Sequence, residues 1–142
     1  ETVGDSDARE TVEAYYDALR AGEPLGPFFA DGEDVVKVGI SERLVGSEAV
    51  VAGLREQTGR TRDWAVESTD LRVTEREAHA WFADLVSLGW TDTERRVRYE
   101  FETRWSGTLE RREKNEADDT LEPAADGPWR FVGMHVSTAG EL

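Results

Sequence analysis

The sequence predicts an α+β domain, with N-terminal helices packed on a strongly curved, mostly antiparallel sheet. Two observations carry this. Apolar residues recur with the helical period, about 3.6, before Asp63 and with the strand period, about 2, after it, so helices precede strands. The clearest alternating stretch, VRYEFETRW (Val97 to Trp105), has one apolar and aromatic edge and one charged edge, the pattern of an antiparallel sheet with one wet face. Such a sheet twists and curls, and helices on its concave side leave a pocket at the wide end.

Taken in order, DARETVEAYYDALRA (residues 7–21) puts Ala8, Val12, Tyr15, Tyr16 and Leu19 on one helical stripe. Asp5 to Asp7 offer an N-cap and Gly22 a stop. EPLGPFFADGED is broken by proline and glycine, and predicts a short helix or turn that tucks Leu25, Phe28 and Phe29 inward. DVVKVGI reads as a brief strand. GSEAVVAGLREQTGR reads as a second helix, capped by Ser47, burying Val50, Val51 and Leu54 and ending near Gly59. Four long strands follow: WAVESTDLRVTE, AHAWFADLVSLGW, RRVRYEFETRWSGTLER and PWRFVGMHVST, with TDTE (Thr91 to Glu94) as the turn between the second and third. The charged segment between Glu110 and Gly127 has no apolar period and reads as a long solvated loop.

The 142 residues fit one domain, 1–142, with its core at about 7–138. There is no cysteine, so disulfides and thiolate metal sites are excluded. Thirty-one acidic residues against 17 basic ones give a formal charge of -14, which repels nucleic acid and anionic membranes. Only Lys37 and Lys114 are lysines, and with the carboxylate excess this composition suits a salt-loving source. No apolar run spans a membrane and no signal peptide is visible, which predicts a soluble, cytoplasmic protein. Neither a calcium-loop spacing nor a phosphate-cradling glycine loop nor a nucleophile elbow is present, so no metal and no cofactor are expected.

In its order of segments the chain resembles the SnoaL-like branch of the nuclear transport factor 2-like superfamily. The resemblance runs through AYYDALRAG, FFADGEDVVKVG, GSEAVVAGLRE, AHAWFADLV, YEFETRWSGTLERR and GPWRFVGMHVS, from about Arg9 to Ser137. It implies a conical α+β half-barrel with a pocket inside the cone and a homodimer paired through the sheet. It also implies a range of roles, among them isomerases, cyclases, dehydratases and association domains, so fold alone does not assign function.

Two residues are candidates for proton transfer. Alternation sends Trp129, Phe131, Gly133, His135 and Ser137 toward the pocket, and a histidine there can shuttle a proton near neutral pH. Asp84 alternates with Phe82, Val86 and Leu88. A two-residue turn at Asp92 and Thr93 pairs it with Phe101 on the aromatic face, where it would serve as a desolvated base. A one-residue slip instead puts Asp84 on the wet face and Trp81 inside. Tyr15, Tyr16, Phe82, Tyr99, Phe101, Trp105, Trp129, Phe131 and Ser137 then line the chamber for a small apolar molecule, although the same aromatics suit a filled core. Val132, Met134 and Val136 fall on the opposite face and predict a homodimer contact through the sheet. The leading expectation is a small-molecule-binding protein. The alternatives are a proton-transfer enzyme using Asp84 and His135, and a dimeric association module.

Overall fold

The computed structural model describes residues 7–112 and 127–140. Asp7 caps helix α1 (Ala8–Ala21) by accepting the Glu10 amide hydrogen at 2.8 Å, and Gly22, at φ 73°, ends it in the left-handed conformation. A 3-10 turn, Gly26–Phe28, tucks Phe28 inward. The hairpin of β1 (Val36–Val38) and β2 (Arg43–Val45) follows, then α2 (Ser47–Arg60). Five further strands are β3 (Thr61–Ser68), β4 (Arg72–Glu75), β5 (His79–Asp92), β6 (Val97–Arg111) and β7 (Trp129–Thr138). The sheet order is β2-β1-β7-β6-β5-β3, with β4 also on the β3 edge of β5; β1 runs parallel to β7 and the other pairs are antiparallel.

Several details depart from the sequence reading. Strand β2 was not foreseen, because RLV is too short to show a period. WAVESTDLRVTE is two strands, broken at Thr69 to Leu71, each pairing with a different part of β5. Gly46, at φ 91°, rather than Ser47 precedes the first turn of α2, while Ser47 Oγ accepts the Gly32 amide hydrogen at 3.0 Å. Most of the expected charged loop lies outside the described residues.

The turn between β5 and β6 occupies Thr93 to Arg96, four residues rather than two. Asp92 shapes it by accepting the amide hydrogens of Glu94 and Arg95, each at 2.9 Å. Asp84 therefore pairs with Trp105, not Phe101. The slip along β6 is an even number of residues, so Asp84 keeps its inward face and Trp81 stays outside.

The largest correction concerns β7. Thr108 pairs with Gly133 but Leu109 pairs with Phe131, so Val132 is the extra residue of a β-bulge. One inserted residue reverses the alternation. Trp129 and Phe131 point into the core above the bulge, and Met134 and Val136 do so below it, at 3% and 6% exposure. His135 and Ser137 consequently face outward, and the expected dimer patch of Val132, Met134 and Val136 does not exist as an outer surface. Gly107 makes room beside the bulge. A Cβ there would stand 2.5 Å from the Gly133 carbonyl oxygen and 2.7 Å from the Phe82 ring.

Helix α1 lies across the concave face and is tied to it by polar contacts. Tyr16 Oη and Ser68 Oγ both donate to Asp84 Oδ2, at 2.8 and 2.6 Å, and the Asp70 amide donates to Oδ1 at 3.1 Å. Asp84, 4% exposed, thus fastens α1 to the corner between β3 and β4. Arg20 reinforces the same seam by donating twice to the Val66 carbonyl, at 3.1 and 2.8 Å.

Removing the carboxylate strands these buried donors, so Asp84→Ala is expected to lower unfolding free energy by about 3 kcal/mol, measured by urea denaturation. A loss under about 0.5 kcal/mol, the ordinary cost of a surface change, would contradict the clamp. Burial first, and the Asp84 hydrogen bond second, push the Tyr16 phenol above its ordinary range; burial does the same to Tyr15. The folded protein therefore holds protons that the unfolded chain releases above about pH 10. Stability contributed by these phenols is complete below that pH and falls as pH rises past it. Tyr16→Phe should flatten this alkaline decline, read from melting temperature between pH 9 and 11; an unchanged slope would remove Tyr16 as its source.

Candidate functional site

The inner face of the sheet is packed solid at one end and open at the other. Phe131 fills the closed end, with ring centroids 5.4 Å from Tyr15, 5.5 Å from Phe29 and 5.8 Å from Phe82. At the open end, between α2, the β1–β2 hairpin and the far ends of β5 and β6, lies a cavity of about 460 Å³.

One wall is aromatic. Trp64 stacks on Trp90 at 4.9 Å, Trp90 on Tyr99 at 5.4 Å, and Tyr99 lies parallel to Phe101 at 6.3 Å. Tyr99, Phe101 and Trp90 arrive there by strand alternation on β6 and β5. Trp64 arrives by a register shift between Arg62 and Ala65, where Asp63 takes φ 57°, a left-handed conformation that aspartate tolerates better than most residues. Its indole nitrogen donates to Thr61 Oγ at 2.8 Å, and that hydroxyl donates to the Gln57 carbonyl at 2.6 Å, which fixes the ring against α2. Trp105 is oriented in the same way by Thr103, whose hydroxyl donates to the Val86 carbonyl.

The opposite wall is polar. Lys37 sits on the inner face of β1, 5% exposed, and its Nζ donates to Glu42 Oε2 at 2.6 Å. Glu42 packs closely over Gly39, where a Cβ would come within 3.1 Å of Glu42 Cγ. Tyr15 and Trp105 also border the cavity, and Arg60 and Arg95 stand at its mouth. Arg60 bridges Glu56 at 3.2 Å and Glu94 at 3.3 Å, and Arg95 donates to Tyr99 Oη at 3.4 Å. The backbone N–H of Arg95 is the main influence holding the Asp92 carboxyl below its ordinary range.

Of the residues anticipated from sequence, Tyr15, Tyr99, Phe101 and Trp105 border this cavity. Phe82, Trp129 and Phe131 belong to the filled core, and Tyr16 is engaged with Asp84. Ser137 accepts from Arg104 on the outer face at 3.3 Å, and His135 is exposed there. Asp84 and His135 lie on opposite faces of the sheet and do not form a pair. Sequence reasoning missed Lys37, Glu42, Trp64 and Trp90. For Trp90 a signal existed, since it continues the alternation of Phe82, Asp84, Val86 and Leu88. Lys37 also stood out as one of two lysines among 17 basic residues.

Among the described residues no group of His, Asp and Glu could hold a metal ion, and no helix is long and apolar enough to cross a membrane. No curated protein matches the sequence. Solved structures do match. A nuclear transport factor 2 (NTF2-like) superfamily protein from Salmonella enterica has TM-score 0.72 at 12% identity, covering 94% of this chain and 89% of its own. An NTF2-like protein of unknown function from Pseudomonas putida has TM-score 0.71 at 19% identity, covering 98% and 92%. A ketosteroid isomerase-like protein from Erwinia carotovora atroseptica has TM-score 0.67 at 14% identity, covering 94% of each chain. At these identities the likeness establishes the fold. Residues 8–115 match the SnoaL-like domain, and the chain therefore belongs to the SnoaL-like family.

Proposed function

We propose that this protein binds a small, flat, largely apolar molecule in the open end of the cone. One observation carries the reading: Trp64, Trp90, Tyr99 and Phe101 stay only half buried and line a cavity, where a plain core would have interlocked them. Stacked rings along an open wall offer a flat partner face-to-face contact, and the Lys37–Glu42 pair opposite supplies a polar point for orientation. A proton-transfer role through Asp84 and His135 has no geometric support, because the sheet separates them and Asp84 is occupied by three donors.

A second reading concerns assembly. On the outer face β5 exposes Trp81 at 43% and Leu85 at 50%, with Ala83 between them. Glu102 and Arg104 of β6 lie on the same face, so it carries both charges and can complement itself about a two-fold axis. We propose that a second copy of the chain covers this face.

The neutral fluorophore N-phenyl-1-naphthylamine should brighten on binding the protein. Trp90→Ala should weaken its affinity by about tenfold, with Leu85→Ala as an outer-face control. No brightening, or equal affinity in Trp90→Ala, would sink the binding reading. Light scattering after size-exclusion chromatography should give twice the chain mass, falling to one in Leu85→Arg; a monomeric parent protein would refute the dimer.

A further inference from the structure

We propose that Lys37 is an amine nucleophile that captures a flat aldehyde or ketone as an imine, with Glu42 as its proton acceptor. This deepens the small-molecule reading and rests on it. Four observations converge.

The first is the choice of residue. Fifteen of the 17 basic residues are arginines, whose guanidinium does not lose its proton in proteins, and the cavity-lining cation of β1 is instead a lysine, whose amine can. The second is contact. Glu42 Oε2 lies 2.6 Å from Nζ, within reach of proton transfer, and packs over Gly39, where a Cβ would be a tight contact.

The third is charge. Lys37 and Glu42 together are neutral, so the pair holds no net attraction for an anion, and a chain of formal charge -14 adds repulsion. A neutral carbonyl compound meets neither obstacle. The fourth is surroundings. Lys37 is 5% exposed and borders the cavity whose other wall is stacked aromatic rings, so Nζ is largely shielded from bulk water.

The step balances with these groups alone. Glu42 takes a proton from the ammonium, and the freed nitrogen pair attacks the carbonyl carbon as the C=O π pair moves to oxygen. After proton return from Glu42 the carbinolamine loses its hydroxyl as water, leaving a protonated imine. Ammonium and carbonyl have become iminium and water, with no oxidant or reductant consumed.

The test uses 2-naphthaldehyde with sodium cyanoborohydride to fix any imine, followed by peptide mapping by mass spectrometry. Lys114 and the α-amino group serve as the comparison amines in the same sample. The expected result is a naphthylmethyl group on Lys37 at least tenfold faster than on Lys114. Glu42→Gln should slow labelling at Lys37 by about a hundredfold, the usual contribution of a positioned base, and Lys114→Arg should leave it unchanged. Circular dichroism confirms that each variant is folded. Equal labelling of the two lysines, in protein that still brightens N-phenyl-1-naphthylamine, overturns the imine proposal and leaves the binding reading intact. Failure of both labelling and brightening overturns both.

Discussion

The extra residue in β7 decides what each face of the sheet can do. Val132 has no partner of its own on β6, and the strand on either side of it presents opposite parities. Above it Trp129 and Phe131 close the packed end of the inner face; below it Met134, the strand partner of Lys37, joins the core and Val136 borders the cavity. Without the bulge a histidine and a serine would replace those two apolar side chains inside. Gly107 is part of the same device, since the strand beside the bulge comes too close to the Phe82 ring and the Gly133 carbonyl for any Cβ.

Two acidic residues on the inner side then have different fates. Asp84 is surrounded by donors supplied by α1, β3 and the Asp70 amide, and its lone pairs are spent on holding a helix. Among the described residues the Glu42 side chain pairs with Lys37, and it borders the cavity. A buried carboxylate satisfied from several directions stabilises a fold, whereas a cation–carboxylate pair at a cavity wall is available to a ligand. The same inner face therefore divides into a fastened side under α1 and an open side under α2.

Much of the fold was legible in the sequence because it rests on period. Helix α1, its acidic cap within Asp5 to Asp7, its Gly22 stop and the alternation along β5 and β6 are legible in the sequence, whereas the face of Asp84 depends on a turn length that the sequence leaves open. The site was less legible because it depends on interruptions of period. The bulge at Val132 moved His135 and Ser137 outward, and the irregularity at Asp63 aimed Trp64 inward. Nothing in GPWRFVGMHVST marks which residue will be unpaired; the bulge packs beside Gly107 and Phe82, which lie far away in the sequence. The contact of Lys37 with Glu42 was equally hidden, since it depends on a hairpin whose second strand is three residues long.

The most direct test is a crystal structure of the protein soaked with 2-ethylnaphthalene, a flat hydrocarbon without reactive groups. The account predicts density for the rings against Trp90 and Trp64, between α2 and the β1–β2 hairpin, with His135 on the far side of the sheet. Ligand density against Asp84 and Tyr16, or a His135 imidazole turned into the cone, would contradict it.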